Sequence, residues 1–271
     1  MQKKLLVVVL GTLFAIPAFA EDAPAAAAAA PTPAVTSNVA LVSNYIYRGL
    51  TQSNANPAIQ GGFDYAHSSG FYAGTWGSSI TWVTDETAAQ SSGVEIDTYV
   101  GFKNSFATDF SYDVGFLRYN YPAKYATTLP PIVGTTPYAK ADTNEVYALI
   151  GWKWFTLKYS DSLGDTFTVP GAGGTSYIDL SASYAVGDSG YTLGAHYGAQ
   201  TYTGSTATDM KNNSIDPTYT DYRVSVTKDL SGYTAGLTYT GTNVSDHGFY
   251  STAWNKNTGA SALTLSLART F

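Results

Sequence analysis

Strict apolar/polar alternation repeated along the chain, short and long connections that take turns, and a charge-poor, tyrosine-rich composition together predict an all-β fold. They point to a transmembrane antiparallel up-and-down β-barrel of about twelve strands. The alternation is clearest in Val94 to Phe102, where Val94, Ile96, Thr98, Val100 and Phe102 share one face with Glu95 and Asp97 on the other. Ser176 to Val186 repeats it, with Ile178, Leu180, Ala182 and Tyr184 opposite Tyr177, Asp179, Ser181 and Ser183. Period two over such lengths is a strand with one apolar and one polar face. Charged residues are 13% of the 271, whereas Tyr reaches 22 and Gly 26. A soluble domain carries about 25% charged residues, so this composition suits a surface that meets lipid.

In chain order, Met1 to Ala20 reads as a secretory leader: Lys3 and Lys4, an apolar run from Leu5 to Ile16, then Ala18-Phe19-Ala20, with cleavage expected after Ala20. The apolar run is shorter than the ~20 residues that span a bilayer. Residues 21–36 are Ala/Pro-rich and read as a periplasmic linker, and 37–271 as the barrel domain. Removing Lys3 and Lys4 from the 14 basic residues leaves 12 against 20 acidic ones, a formal charge of −8. That argues against nucleic acid as a partner. The chain has no cysteine, hence neither disulfide nor thiolate metal site.

Strands are expected at roughly 38–50, 57–66, 71–82, 93–103, 110–121, 143–152, 155–161, 175–186, 191–203, 219–228, 233–243 and 260–271. Most match the ~9–11 residues of a tilted transmembrane strand. Tight turns at His67 to Gly70, Gly187 to Gly190 and Asp229 to Gly232 alternate with long segments at 83–92, 122–142, 162–174, 204–218 and 244–259. That is the pattern of periplasmic turns and outer loops, with Thr51 to Asn56 as a short first outer loop. Two aromatic girdles are expected. Tyr65, Tyr72, Phe102, Phe110, Tyr112, Trp152, Phe155, Tyr184, Tyr191 and Tyr233 map to the periplasmic end, and Tyr45, Tyr47, Trp82, Tyr119, Tyr121 and Tyr222 to the outer end.

The last strand alternates through Leu263, Leu265 and Leu267 and ends on Phe271. It resembles the sorting signal that such barrels present to the barrel assembly machinery, with Arg269 departing from the pattern. Val42-Ser43-Asn44-Tyr45-Ile46-Tyr47-Arg48-Gly49-Leu50-Thr51-Gln52-Ser53 resembles the opening strand of the TorF-like porin family, with Asn44 and Thr51 in place of Asp and Ser. Asn56 to Tyr65, Gly70 to Ser78 and Glu95-Ile96-Asp97 with Gly101 continue the likeness, which is specific over about 42–103. The resemblance implies an outer-membrane barrel.

The polar face is the candidate site. Arg48, Asp64, Glu95, Asp97, Asp113, Glu145, Lys158, Asp179, His196, Asp221 and Arg223 fall on it, and Arg118 joins them if a bulge shifts the strand near Phe116-Leu117. These residues would line a small pore for passive diffusion of small hydrophilic solutes, with a weak cation preference. Outer-membrane lipid and lipopolysaccharide would surround it. A structural or receptor barrel with a plugged lumen is the alternative, since twelve strands lie between side-chain-filled and open barrels. A lipid-modifying enzyme is the remote one, with His247 near Ser245 and Ser251 as its sole candidate set. His67, His196 and His247 scatter, so no metal or cofactor is expected.

Overall fold

The computed structural model describes residues 34–87, 91–125, 131–134, 136–244, 249–250 and 257–271. The expected leader lies outside them. So do Ser245, His247 and Ser251.

Twelve antiparallel strands close into one barrel, each paired with its sequence neighbour. They are β1 Ala34–Val42, β2 Ala58–Ala66, β3 Phe71–Ser79, β4 Val94–Phe106, β5 Phe110–Asn120 and β6 Thr143–Trp152. The second half is β7 Phe155–Ser162, β8 Ser176–Ala185, β9 Tyr191–Thr201, β10 Tyr219–Asp229, β11 Tyr233–Thr242 and β12 Ala262–Thr270. The expected strand count is met. Ala34 to Thr36, assigned by composition to the linker, instead pair with Asp64 to Ala66. The seam joins β1 to β12 from Asn38↔Thr270 to Val42↔Ser266. Closure leaves the twelve-stranded sheet without an edge.

The two faces are inverted relative to a soluble protein. Leu41, Ile59, Phe63, Ile96, Val114, Ile150, Leu180, Val224 and Leu265 stand exposed on the outer face, while Glu95, Asp97, Glu145, Asp179 and Asp221 are buried inside. Such an apolar exterior is the surface of a barrel built for lipid. Phe71, Phe102, Phe106, Phe110, Trp152, Phe155, Tyr184, Tyr191 and Tyr233 form the girdle next to the tight turns. The opposite girdle differs from expectation. Tyr45, Tyr47, Trp82, Tyr119 and Tyr121 are buried inside, as is Tyr72. Exposed Tyr159, Tyr197, Tyr222 and Tyr239 supply outward aromatics on β7 and β9–β11.

Phe271 continues the seam. Its N–H donates to the Ser37 carbonyl (2.8 Å) and its carbonyl accepts from the Ser37 N–H (3.1 Å). Arg269, the departure from the terminal pattern, lies over the rings of Tyr233 and Phe271 at the rim, where a long cationic side chain can keep its head in water. Deleting Phe271 should reduce the amount of heat-modifiable barrel, while Phe271→Ala keeps both backbone bonds and should lose less. Equal levels of all three proteins on a semi-native gel would contradict a role for this residue in closing the barrel.

Candidate functional site

The first outer connection does not stay outside. β1 ends at Val42, and Ile46–Tyr47 then pairs with Leu50–Thr51 as a small hairpin inside the barrel. The sequence predicts one strand over 38–50, whereas the chain leaves the wall and turns inward. Arg48 (φ 44°) and Gly49 (φ 76°) form the hairpin tip. Positive φ at both central residues is the type I′ turn, whose twist matches a tight hairpin. At Gly49 a side chain would also collide with Asp221, whose Cβ would lie 2.6 Å from the added carbon.

Arg48 adopts this conformation at a cost of about 1 kcal/mol, and its contacts hold it there. Its two terminal nitrogens donate to the two Glu145 oxygens at 3.2 and 3.0 Å, and one also donates to Gln200 Oε1 at 2.8 Å. Arg48 and Glu145 are each 2% exposed. The guanidinium plane faces the Tyr177 ring at 4.2 Å. A planar fork matched to a carboxylate and stacked on a ring is a geometry that lysine cannot reproduce. Tyr177 can reach this place because Gly198 offers no side chain beneath its hydroxyl.

The rest of the hairpin meets the opposite wall. Tyr45 donates to Glu95 (3.2 Å) and sets its ring edge-on to Trp76 at 5.6 Å. Tyr47 donates to the Tyr119 hydroxyl (2.7 Å), which donates on to Glu145 (3.3 Å). At the base, Thr51 Oγ1 donates to Asn44 Oδ1 at 2.6 Å. The insert thus touches β3–β6 on one side and β8–β11 on the other.

Elsewhere on the inner wall, carboxylates meet tyrosines. Tyr99 donates to Asp64 (2.5 Å), Tyr72 to Asp113 (2.6 Å) and Tyr177 to Asp221 (2.7 Å). The Tyr72 and Tyr147 hydroxyls also hydrogen-bond each other. Lys158 lies over the Tyr147 ring at 4.6 Å and opposite Asp179 in the ladder. His196 sits between two acids, Nδ1 3.0 Å from Asp179 and Nε2 2.9 Å from Asp221. Buried polar groups matched in this way rigidify the site.

Most residues expected on the inner face are there. Glu95, Asp97, Asp113, Glu145, Lys158, Asp179, His196 and Asp221 are buried inward, and Asp64 and Arg223 are partly exposed inward. Arg48 is in the lumen too, but on the hairpin rather than on the wall. Arg118 is a correction. β5 keeps continuous register with β4 and β6, so no bulge turns it. Asp113, Leu117 and Tyr119 face inward; Arg118 stands on the outer face, 3.3 Å from Asp142 and hydrogen-bonded to Asn120 and Asn144. The alternation looks broken because the inner residues Leu117 and Tyr119 are apolar or aromatic where they pack with Tyr45, Tyr47 and Phe167.

The two sides of the lumen are unequal. β3–β6 carry Tyr72, Trp76, Tyr99, Tyr119 and Tyr147, whereas the inner residues of β11 and β12 are Gly236, Thr238, Thr240, Thr264, Ser266 and Ala268. Between the hairpin tip and this small-residue wall lies a cavity of about 350 Å³, lined by Arg48, His196, Asp221, Arg223, Thr238 and Thr264 among others. A second cavity of about 490 Å³ lies beside the hairpin and is lined by Tyr47, Trp82, Phe167 and residues of the outer connections.

A closed antiparallel barrel with an apolar exterior, a polar interior and an inserted connection defines a transmembrane barrel. The chain belongs to Gcw_chp, a family of bacterial proteins of unknown function whose profile matches residues 25–271. A comparison with curated proteins returned no match. Among solved structures, the NanC porin aligns with a TM-score of 0.51 at 10% identity, covering 88% of this chain and 99% of that one. An outer membrane channel from Pseudomonas putida F1 aligns at 0.49 and 13% identity, over 93% and 100% of the two chains. The KdgM porin aligns at 0.48 and 7% identity, over 88% and 98%. The likeness to NanC is one of fold.

Proposed function

We propose that this chain is an outer-membrane pore for passive diffusion of small hydrophilic solutes, exported by a leader cleaved after Ala20 and narrowed by its own first connection. The observation that carries the reading is the unequal lumen. Bulky tyrosines and their carboxylates fill the β3–β6 side, while the Thr, Ser and Gly residues of β11 and β12 leave the 350 Å³ cavity beside the hairpin tip. A solute would pass along that wall and meet Arg48, Asp221 and Arg223, which line the cavity. The TorF-like resemblance over 42–103 fits this reading, and the inserted hairpin lies within its opening segment, Val42 to Ser53.

Selectivity follows from the charges left inside. With Arg118 on the outer face, the inward acids Asp64, Glu95, Asp97, Asp113, Glu145, Asp179 and Asp221 outnumber the inward bases Arg48, Lys103, Lys158 and Arg223. Several of those acids are covered by tyrosines, so the excess acts weakly, and a weak cation preference is the expected result. Rings of charge set ion preference in pores. Reversal potentials in a salt gradient test this: Arg223→Ala should strengthen the preference and Asp221→Asn should weaken it. Anion preference in the wild type would overturn the charge reading.

The plugged structural barrel is the second reading, and the density of contacts around Arg48 favours it. Conductance separates the two.

A further inference from the structure

The pore reading gives no role to the 490 Å³ cavity beside the hairpin, whose walls include Tyr47, Trp82, Phe167, Tyr202, Tyr219 and Tyr250. Its polar lining residues include the amides of Gln52 and Gln200, and among the described residues it presents no charged side chain. The indole N–H of Trp82 is buried and has no hydrogen-bond partner among the described residues. A buried donor left without an acceptor is costly, of order 1–3 kcal/mol, and a ligand oxygen would relieve that cost.

We infer that this cavity is a binding site for a neutral saccharide. This rests on the pore reading, for which it names the solute class.

Three features select that chemistry. Aromatic faces offer apolar contact to the C–H face of a pyranose, and amides with an indole N–H offer hydrogen bonds to its hydroxyls; a few polar groups among aromatic walls is how such pockets fix a ligand. A purely apolar ligand would leave the Trp82 N–H without an acceptor. A charged solute would find no counter-charge in the lining.

Isothermal titration calorimetry on the folded full chain in detergent tests it, with glucose, galactose, maltose and sucrose as probes and glucuronate as the charged comparison. The expected result is saturable millimolar binding of at least one neutral sugar, with glucuronate at least tenfold weaker than the best of them. Trp82→Phe keeps a ring and removes the donor, and should weaken that binding roughly five- to tenfold. Trp152→Phe, on the outer belt, should leave it unchanged. If Trp82→Phe does not fold on a heat-modifiability gel, Phe167→Leu carries the same expectation. No saturable binding by any neutral sugar, equal affinity for glucuronate, or wild-type affinity in the folded variant would overturn the inference. The assay needs no conduction, so a silent bilayer trace leaves it standing, and an open pore without sugar binding removes this inference alone.

Discussion

Arg48→Ala should destabilise the folded barrel by about 3–5 kcal/mol, the cost of leaving one member of a buried ion pair without the other. Glu145 would keep the Tyr119 hydroxyl (3.3 Å) and the Ser162 hydroxyl (3.4 Å) as donors but lose its cation. Gln200 and the Tyr177 face would lose their partner as well. Urea unfolding followed by tryptophan fluorescence and gel mobility measures the effect. Arg48→Lys should recover little of it, because an ammonium cannot make the paired contacts at 3.0 and 3.2 Å. A double-mutant cycle with Glu145→Gln should give a coupling well above the ~0–1 kcal/mol of a surface pair. Coupling within that surface range would mean that the hairpin is not anchored by this contact. The same variants loosen the insert, so their conductance should exceed that of the wild type.

Leu180→Arg should cost about 2–4 kcal/mol, the penalty for a cation at mid-depth on the lipid face, and Ile96→Arg should behave alike. Leu180 is 51% exposed on the outer face and pairs with Leu157 and Tyr197 of the neighbouring strands. One residue on, Ser181 faces inward, where its hydroxyl donates to Asp179 at 2.6 Å. Ser181→Arg would place its charge beside that carboxylate and should be much milder. Folding yield into lipid vesicles and urea midpoints compare the variants. Greater damage at Ser181 would require a register shifted by one, which exchanges every face.

The wall of the barrel follows from residue alternation, because lipid outside and polar groups inside impose opposite demands on successive residues. The inserted hairpin does not, for a physical reason. Alternation carries depth and face, but it assumes a polar lumen. Where chain folds into the lumen, the wall residues facing it become apolar or aromatic, as Leu117 and Tyr119 do, and they then read as lipid-facing. Tyr45, Tyr47 and Trp82 mislead in the same way: a tyrosine beside a carboxylate inside the barrel has the same local pattern as one in an interfacial girdle. One signal was available in the first strand. A single element over 38–50 exceeds the ~9–11 residues that a tilted strand needs, and its excess contains Asn44, Arg48 and Gly49. An Arg-Gly pair at that point fits a turn better than a wall. Partners such as Gln200 and Tyr177 for Arg48 are long-range contacts that no local pattern encodes.

Single-channel recording in planar lipid bilayers decides whether the lumen conducts and whether the hairpin narrows it. The wild-type protein, verified as folded, should give discrete ohmic steps of small amplitude. A variant in which 46–51 is replaced by glycine removes the Arg48 insert and should give clearly larger steps. If both proteins are folded and silent, or if excising the hairpin leaves the conductance unchanged, the lumen is not a path narrowed by this hairpin.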